Sequence, residues 1–216
     1  MEITWFGHSC FRLVERGMAT VITDPYDHRL VGYEALKLRG DVVTVSVNHP
    51  AHNFLSAVKG DAYPISSPGE YEVGGVFVTG VQTNGQTKHA ADELRNTLYV
   101  LDYNGLTVAH LGLINRVPSR TEVEALGPIN VALVPVGDAD SLNAAKAAEV
   151  ISLLEPNIVI PMYYAMPGCN VKLDPLNKFM KEMGLTEVQT QPSIKLTSAS
   201  SLPEETHVVV LELQHS

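Results

Sequence analysis

The first half of the chain alternates short apolar runs with turn residues. Ile3 to Phe6, Cys10 to Val14 and Ala19 to Thr23 are apolar or alternating, the period-two pattern of strands with one face in a core. Gly7-His8-Ser9 and Glu15-Arg16-Gly17 break them as turns. Val42 to Val47, VVTVSV, is β-branched and nearly continuous, which predicts a buried strand. Pro64 to Tyr71 reads as a turn, and Val73 to Val81 as the strand that follows. Gln82 to Asn96 is polar and holds His89. Thr97 to Asp102 and Leu106 to Leu111 then read as two strands joined by Asn104-Gly105, a dipeptide that suits a two-residue hairpin turn.

In the second half the period shifts between that of strands and that of helices. Thr121 to Leu126 predicts a helix beginning near Ser119 or Arg120, and Val131 to Val136 a buried strand. Asn143 to Leu154 puts Ala144, Ala147, Ala148, Ile151 and Leu154 on one helical face. Pro156 stops that helix. Ile158 to Met162 is a strand, Leu173 to Met183 a helix ended by Gly184, and His207 to Leu213 a closing strand. Strands first and mixed elements afterwards, with no linker composition and no short repeat between them, predict one layered α/β domain over residues 1–216.

Bulk composition narrows the functional classes. At 216 residues and 45% hydrophobic content, the chain can bury one sizeable core. It has no run of 18 uncharged apolar residues and no basic, apolar leader pattern at its start, so neither a membrane span nor a signal peptide is expected. Two cysteines, Cys10 and Cys169, make no disulfide framework, and a reducing cytoplasmic setting is expected. A net charge of −9, with no Lys/Arg cluster, disfavours nucleic-acid binding.

Several segments in this order resemble the metallo-β-lactamase superfamily. They are ITWFGHSCFRL, VITDPYD around Asp24, SPGEYEVGGVFVTGV, RNTLYVLDYNGLTVAHLG, NVALVPVG, and AAEVISLLEPNIVIPMYY ending at Tyr164. The likeness covers nearly the whole chain and looks closest to small zinc-dependent hydrolases related to L-ascorbate-6-phosphate lactonases. It implies a four-layer αβ/βα sandwich, with two mixed sheets flanked by helices on both outer faces. It also implies metal-activated water attacking a lactone, phosphoester or similar electrophile.

Set against the family's HxHxDH motif, the segment VNHPAH puts Val47 at the first His position, His49 at the second, Ala51 at the Asp and His52 at the last His. His89 fits the place of the later loop histidine. Leu113 stands where the resemblance puts a bridging Asp, and Tyr163 where it puts the final His. Val47, Ala51, Leu113 and Tyr163 are therefore lost ligand positions. One family metal site keeps His49 and His89, and the other keeps only His52. Two close cations need carboxylate charge between them, so a dinuclear centre is not expected. The cofactor expectation is none, or a single divalent ion (zinc, iron or manganese) on His49, His52 and His89, should the three converge.

The remaining candidates belong to a pocket or to the support of the site. His8 lies in the GHS turn and would orient a neighbouring loop; His110 ends an apolar strand; Asp24 caps a turn before Pro25 and is an outside candidate for a general base. Tyr163 and Cys169 could approach the same place. The expectation is an altered or non-catalytic homologue, a pseudoenzyme with a degenerate metal site, that binds a small molecule or a partner. The alternatives are a one-metal hydrolase and a purely structural interaction protein. A homo-oligomer is expected on general grounds.

Overall fold

The computed structural model describes residues 1–83, 95–188 and 190–215. His89 therefore lies outside the described residues. The first half carries β1 (Glu2–Trp5), β2 (Phe11–Val14), β3 (Val21–Thr23), α1 (His28–Val31), β4 (Leu38–Arg39), β5 (Val42–Thr44), β6 (Val58–Lys59), β7 (Tyr63–Ile65), β8 (Gly69–Val73) and β9 (Val76–Gln82). The second half carries β10 (Thr97–Tyr103), β11 (Leu106–His110), α2 (Arg120–Leu126), β12 (Val131–Pro135), α3 (Ala144–Leu154), β13 (Ile158–Met162), α4 (Leu176–Glu182), β14 (Thr190–Gln191), β15 (Ser193–Lys195), β16 (His207–Val208) and β17 (Val210–Leu211).

Two mixed sheets face each other. One has the order β15-β1-β2-β3-β5-β7 and the other β16-β13-β12-β11-β10-β9-β8. Ile3, Trp5, Phe11, Leu13 and Val42 from the first sheet share one core with Val78, Leu101, Val108 and Leu133 from the second. Burying such side chains contributes about 25 cal/mol per Å2 of apolar surface. A second, smaller cluster holds Phe6, Ile22, Tyr26, Val31, Leu38 and Val43 on the other face of the first sheet. The two outer layers are unequal. α3 packs on α4, α2 and β12, whereas the first sheet is covered by the four-residue α1 and the short β4–β6 pair. No helix among the described residues is long and apolar enough to cross a membrane.

Local signals explain most of the boundaries. Asn104 and Gly105 both have positive φ (55° and 85°) and join β10 to β11, as a primed hairpin turn requires. Ser119 caps α2 with a complete capping box to Glu122. Asn143 caps α3 through the Lys146 N–H, and Val150 joins Ala147, Ile151 and Leu154 as buried, with Ala144 and Ala148 only half-buried. α4 begins later than its apolar pattern, at Leu176, because Pro175 precedes it. The closing strand splits at Val209: β16 pairs with β13 and β17 with β14.

The expected turn at Pro64 to Tyr71 is a correction. Residues Tyr63–Ile65 form β7 and Gly69–Val73 form β8. Each lies at the edge of its sheet, where a proline without an N–H and a glycine without packing are tolerated. The chain passes here from the edge of one sheet to the edge of the other. Tyr99 of β10 ties the sheets together nearby: its hydroxyl donates to the Val45 and Ile65 carbonyls at 3.1 and 3.2 Å. Tyr99→Phe is expected to lower the unfolding free energy by about 1–2 kcal/mol. Urea denaturation checks this, and an unchanged midpoint at equal slope would refute the bridging role.

Candidate functional site

Five segments end on one rim of the sandwich. His8 sits at the tip of the β1–β2 turn, Asp24 follows β3, Ser46 to His52 follow β5, His110 closes β11, and Tyr163 follows β13. The Phe6 N–H donates to Cys10 O and the Cys10 N–H to Gly7 O, which tightens the turn and carries His8 inward. The Tyr163 N–H donates to His8 O at 3.1 Å, so the rim of one sheet is stitched to that of the other. The rings converge as well: His8 lies 5.0 Å from His52 and 4.5 Å from Tyr163, centroid to centroid. His8, Asp24 and Tyr163 all have positive φ (54°, 38° and 54°). Left-handed backbone at three buried non-glycine residues stores strain at the place where the segments meet.

Asp24 is fully buried and is the hub. Its carboxylate accepts the Ser46 N–H at 2.7 Å, the Ser46 hydroxyl, and the His52 Nδ1–H at 3.0 Å. Burial alone would push this carboxyl up. His110, His52 and Ser46 outweigh it and hold Asp24 below the usual carboxylate range. Because the carboxylate can only accept, His52 carries a proton on Nδ1, which in the neutral ring leaves the lone pair on Nε2. An imidazole oriented this way suits either a metal ligand or a general base. The His110 Nε2–H donates to Ser9 O at 2.9 Å, and its Nδ1 has no partner among the described residues. Among the described residues neither ring nitrogen of His8 has a hydrogen-bond partner.

Sequence reasoning missed Ser46 and Asn96. Buried Asn96 donates to Thr83 Oγ1 and to Leu111 O and accepts the Leu113 N–H at 2.7 Å. It thereby clamps the turn that carries Leu113. Gly112 in that turn has φ 59°, and a Cβ there would fall 2.3 Å from Asn96 Oδ1 and 2.5 Å from Ser46 Cβ. The dipeptide Arg95-Asn96 before β10 was part of the resemblance, but nothing in its pattern marks a buried amide clamp. A cavity of about 510 Å3 opens beside Ser46, lined also by Asn48, Asn53 and Arg95.

Of the three candidate ligands, His49 and His52 are among the described residues. His49 is exposed, and its Nδ1 accepts the Ala51 N–H at 3.2 Å. His52 is buried and held on Asp24. Among the described residues no three His, Cys, Asp or Glu side chains are grouped so as to hold a metal ion. Val47, Ala51 and Leu113 are buried carbon side chains. Burial pushes the Tyr163 phenol up, with Asp140 and Cys169 adding to it, which disfavours the phenolate form a metal would need. The residues present do not fit a dinuclear centre. Asp24 does more than the turn cap expected of it, and His8 supports the site as a buried ring. Cys169 is half-buried and packs with the Tyr26 and Tyr33 cluster on the outer face of the first sheet.

The model of the β-lactamase superfamily domain matches residues 2–163. A UPF0173 protein of Pyrococcus furiosus is 28% identical over 206 residues, covering 85% of this chain and 90% of its own. A UPF0173 metal-dependent hydrolase of Pyrobaculum islandicum is 25% identical, covering 76% and 84%. In structure, a candidate zinc-dependent hydrolase of the metallo-β-lactamase superfamily from Thermotoga maritima superposes with a TM-score of 0.80 at 34% identity, covering 99% of both chains. These likenesses bear out the expected fold. They lend no support to the narrower lactonase branch or to the expectation of a protein without activity.

Burial pushes His8 well below the ordinary histidine range, with His52 and His49 adding to it, and burial also lowers His110. The unfolded chain therefore takes up these protons first, and stability falls as pH drops through about 6.5. Asp24, depressed in the fold, adds its own loss only at lower pH, below about 4. His8→Phe is expected to flatten the decline between about pH 7 and 5 by up to about 1.4 kcal/mol per pH unit. Chemical denaturation across that range checks it, and an unchanged slope sinks it. Gly112→Ala is expected to cost about 2–4 kcal/mol, seen as a fall in melting temperature; a neutral effect would show that Asn96 and Ser46 can yield.

Proposed function

Because the chain belongs to the metallo-β-lactamase superfamily, we propose that it is a hydrolase-type protein with an altered site. It takes a small molecule into the cavity beside the Asp24–Ser46–His52 network, and its chemistry does not run through a pair of metal ions. The observation that carries this reading is the filling of the ligand positions. Val47, Ala51, Leu113 and Tyr163 are each at most 4% exposed, so they are packed into the protein and offer no metal donor. Asp24 and His52 supply an oriented imidazole where the family motif ends.

The names of the relatives favour a second reading. UPF0173 proteins of Pyrobaculum islandicum and Thermococcus kodakarensis are called metal-dependent hydrolases. On that reading this chain hydrolyses a lactone or phosphoester with one divalent cation, on His52 with His49 and His89.

Metal content separates the two. Protein purified without a tag and without chelator is expected to hold far less than one equivalent of zinc, iron or manganese per chain, and any turnover of lactones or phosphoesters to survive chelation. About one equivalent per chain, lost together with hydrolysis in a His49→Ala/His89→Ala variant, would overturn the first reading in favour of the second.

A further inference from the structure

The cavity beside Ser46 is chemically one-sided. Arg95 brings a guanidinium to it, and Asn48, Asn53, Ser66, Ser67 and Thr97 bring neutral polar groups. No Asp or Glu is among the described residues that line it, although the chain carries 24 acidic residues against 15 basic ones. Described walls that carry one guanidinium and no carboxylate favour a negatively charged guest.

Arg95 is exposed and, among the described residues, pairs with no carboxylate. The Asn53 amide donates to Asn48 Oδ1 at 2.7 Å, which fixes the Asn48 side chain and leaves its own N–H groups as donors. Asp24, which is bonded to Ser46 of the wall, is fully buried and already met by Ser46 and His52. Opposite polarity is present too, since Val45 and Leu55 line the same cavity.

We propose that this cavity binds a small anionic molecule through its oxyanion group, a carboxylate or a phosphoryl group. Arg95 is the charged contact, Asn48 and the Ser66 and Ser67 hydroxyls are neutral donors, and the apolar part of the ligand rests on Val45 and Leu55. A planar guanidinium matches the paired oxygens of either group, and the volume suits a metabolite-sized ligand. The inference rests on the reading of this cavity as the ligand site, and it adds the charge of the ligand to that reading.

Isothermal titration of the full chain at low ionic strength tests it, with inorganic phosphate, gluconate and glucose as probes. Phosphate or gluconate is expected to bind, with glucose at least about tenfold weaker. Arg95→Gln is expected to weaken the anion about tenfold or more, and Arg95→Lys to restore part of the loss. Arg39→Gln, which alters an arginine lining a different hollow, should leave binding unchanged. A preference for phosphate over gluconate assigns the group as phosphoryl, and the reverse assigns it as carboxylate. Equal affinity in Arg95→Gln, glucose binding as well as gluconate, or no anion binding up to about 10 mM would each overturn the inference. Metal content and turnover are read separately. Turnover that survives chelation, with no anion binding in the titration, would sink the anion site and leave the proposed function standing. One metal per chain with Arg95-dependent anion binding would do the opposite.

Discussion

A carboxylate with no access to water must be surrounded by donors, and the rim of this sandwich is organised by that requirement at Asp24. Leaving such a charge unpaired in the interior costs several kcal/mol, on the order of 3–5 when a partner is removed. Ser46 answers with its backbone N–H and its hydroxyl, and His52 with Nδ1–H. These contacts fix where the chain goes after β5. It leaves the first sheet at Val45, binds Asp24 at Ser46, bridges to Asn96 at Val47, and returns at His52 to the same carboxylate. The loop that bears the family motif is therefore held by a buried ionic hydrogen-bond network, and the second sheet is drawn in through Asn96.

That network also constrains the chemistry. His52 is oriented whether or not a cation is present, because its orientation comes from Asp24. His49, three residues earlier, is exposed, and its Nδ1 is engaged only by the Ala51 N–H among the described residues. The residues around them are apolar where the motif would place ligands. Replacing polar partners together by packed carbon costs little, whereas stranding one of them costs its full desolvation. Val47, Ala51 and Leu113 fit the first case. His8, buried with both ring nitrogens unpartnered among the described residues, is the second.

How much of this was legible depended on whether the signal was local. The hairpin at Asn104-Gly105, the caps at Ser119 and Asn143 and the stop at Pro156 are short-range chemistry, and the sequence states them directly. The order of motifs carried the sandwich. β7 and β8 were hidden because Pro64 and Gly69 are turn residues anywhere except at a sheet edge, and edges are defined only by tertiary pairing. The site divides in the same way. His8, Asp24, His52, His110 and Tyr163 could be named from their positions, and the structure brings them to one rim. Ser46 and Asn96 could not, because a serine in VVTVSV and an asparagine before a strand become a donor and a clamp only when β3, β5, β10 and β11 meet.

Backbone strain then distinguishes this rim from the rest of the core. A buried polar network could be built with ordinary φ values if packing were its only task. Here His8, Asp24 and Tyr163 each adopt the left-handed region, at about 1–3 kcal/mol apiece. The three come from separate segments in two sheets, so one awkward turn does not explain them. What they share is the set of rings and the carboxylate that they aim inward. Structure that holds side chains at such cost is what a binding or reactive site requires, and simple packing does not require it. The rim thus keeps the preorganisation of a site even though four of the positions for metal ligands carry none.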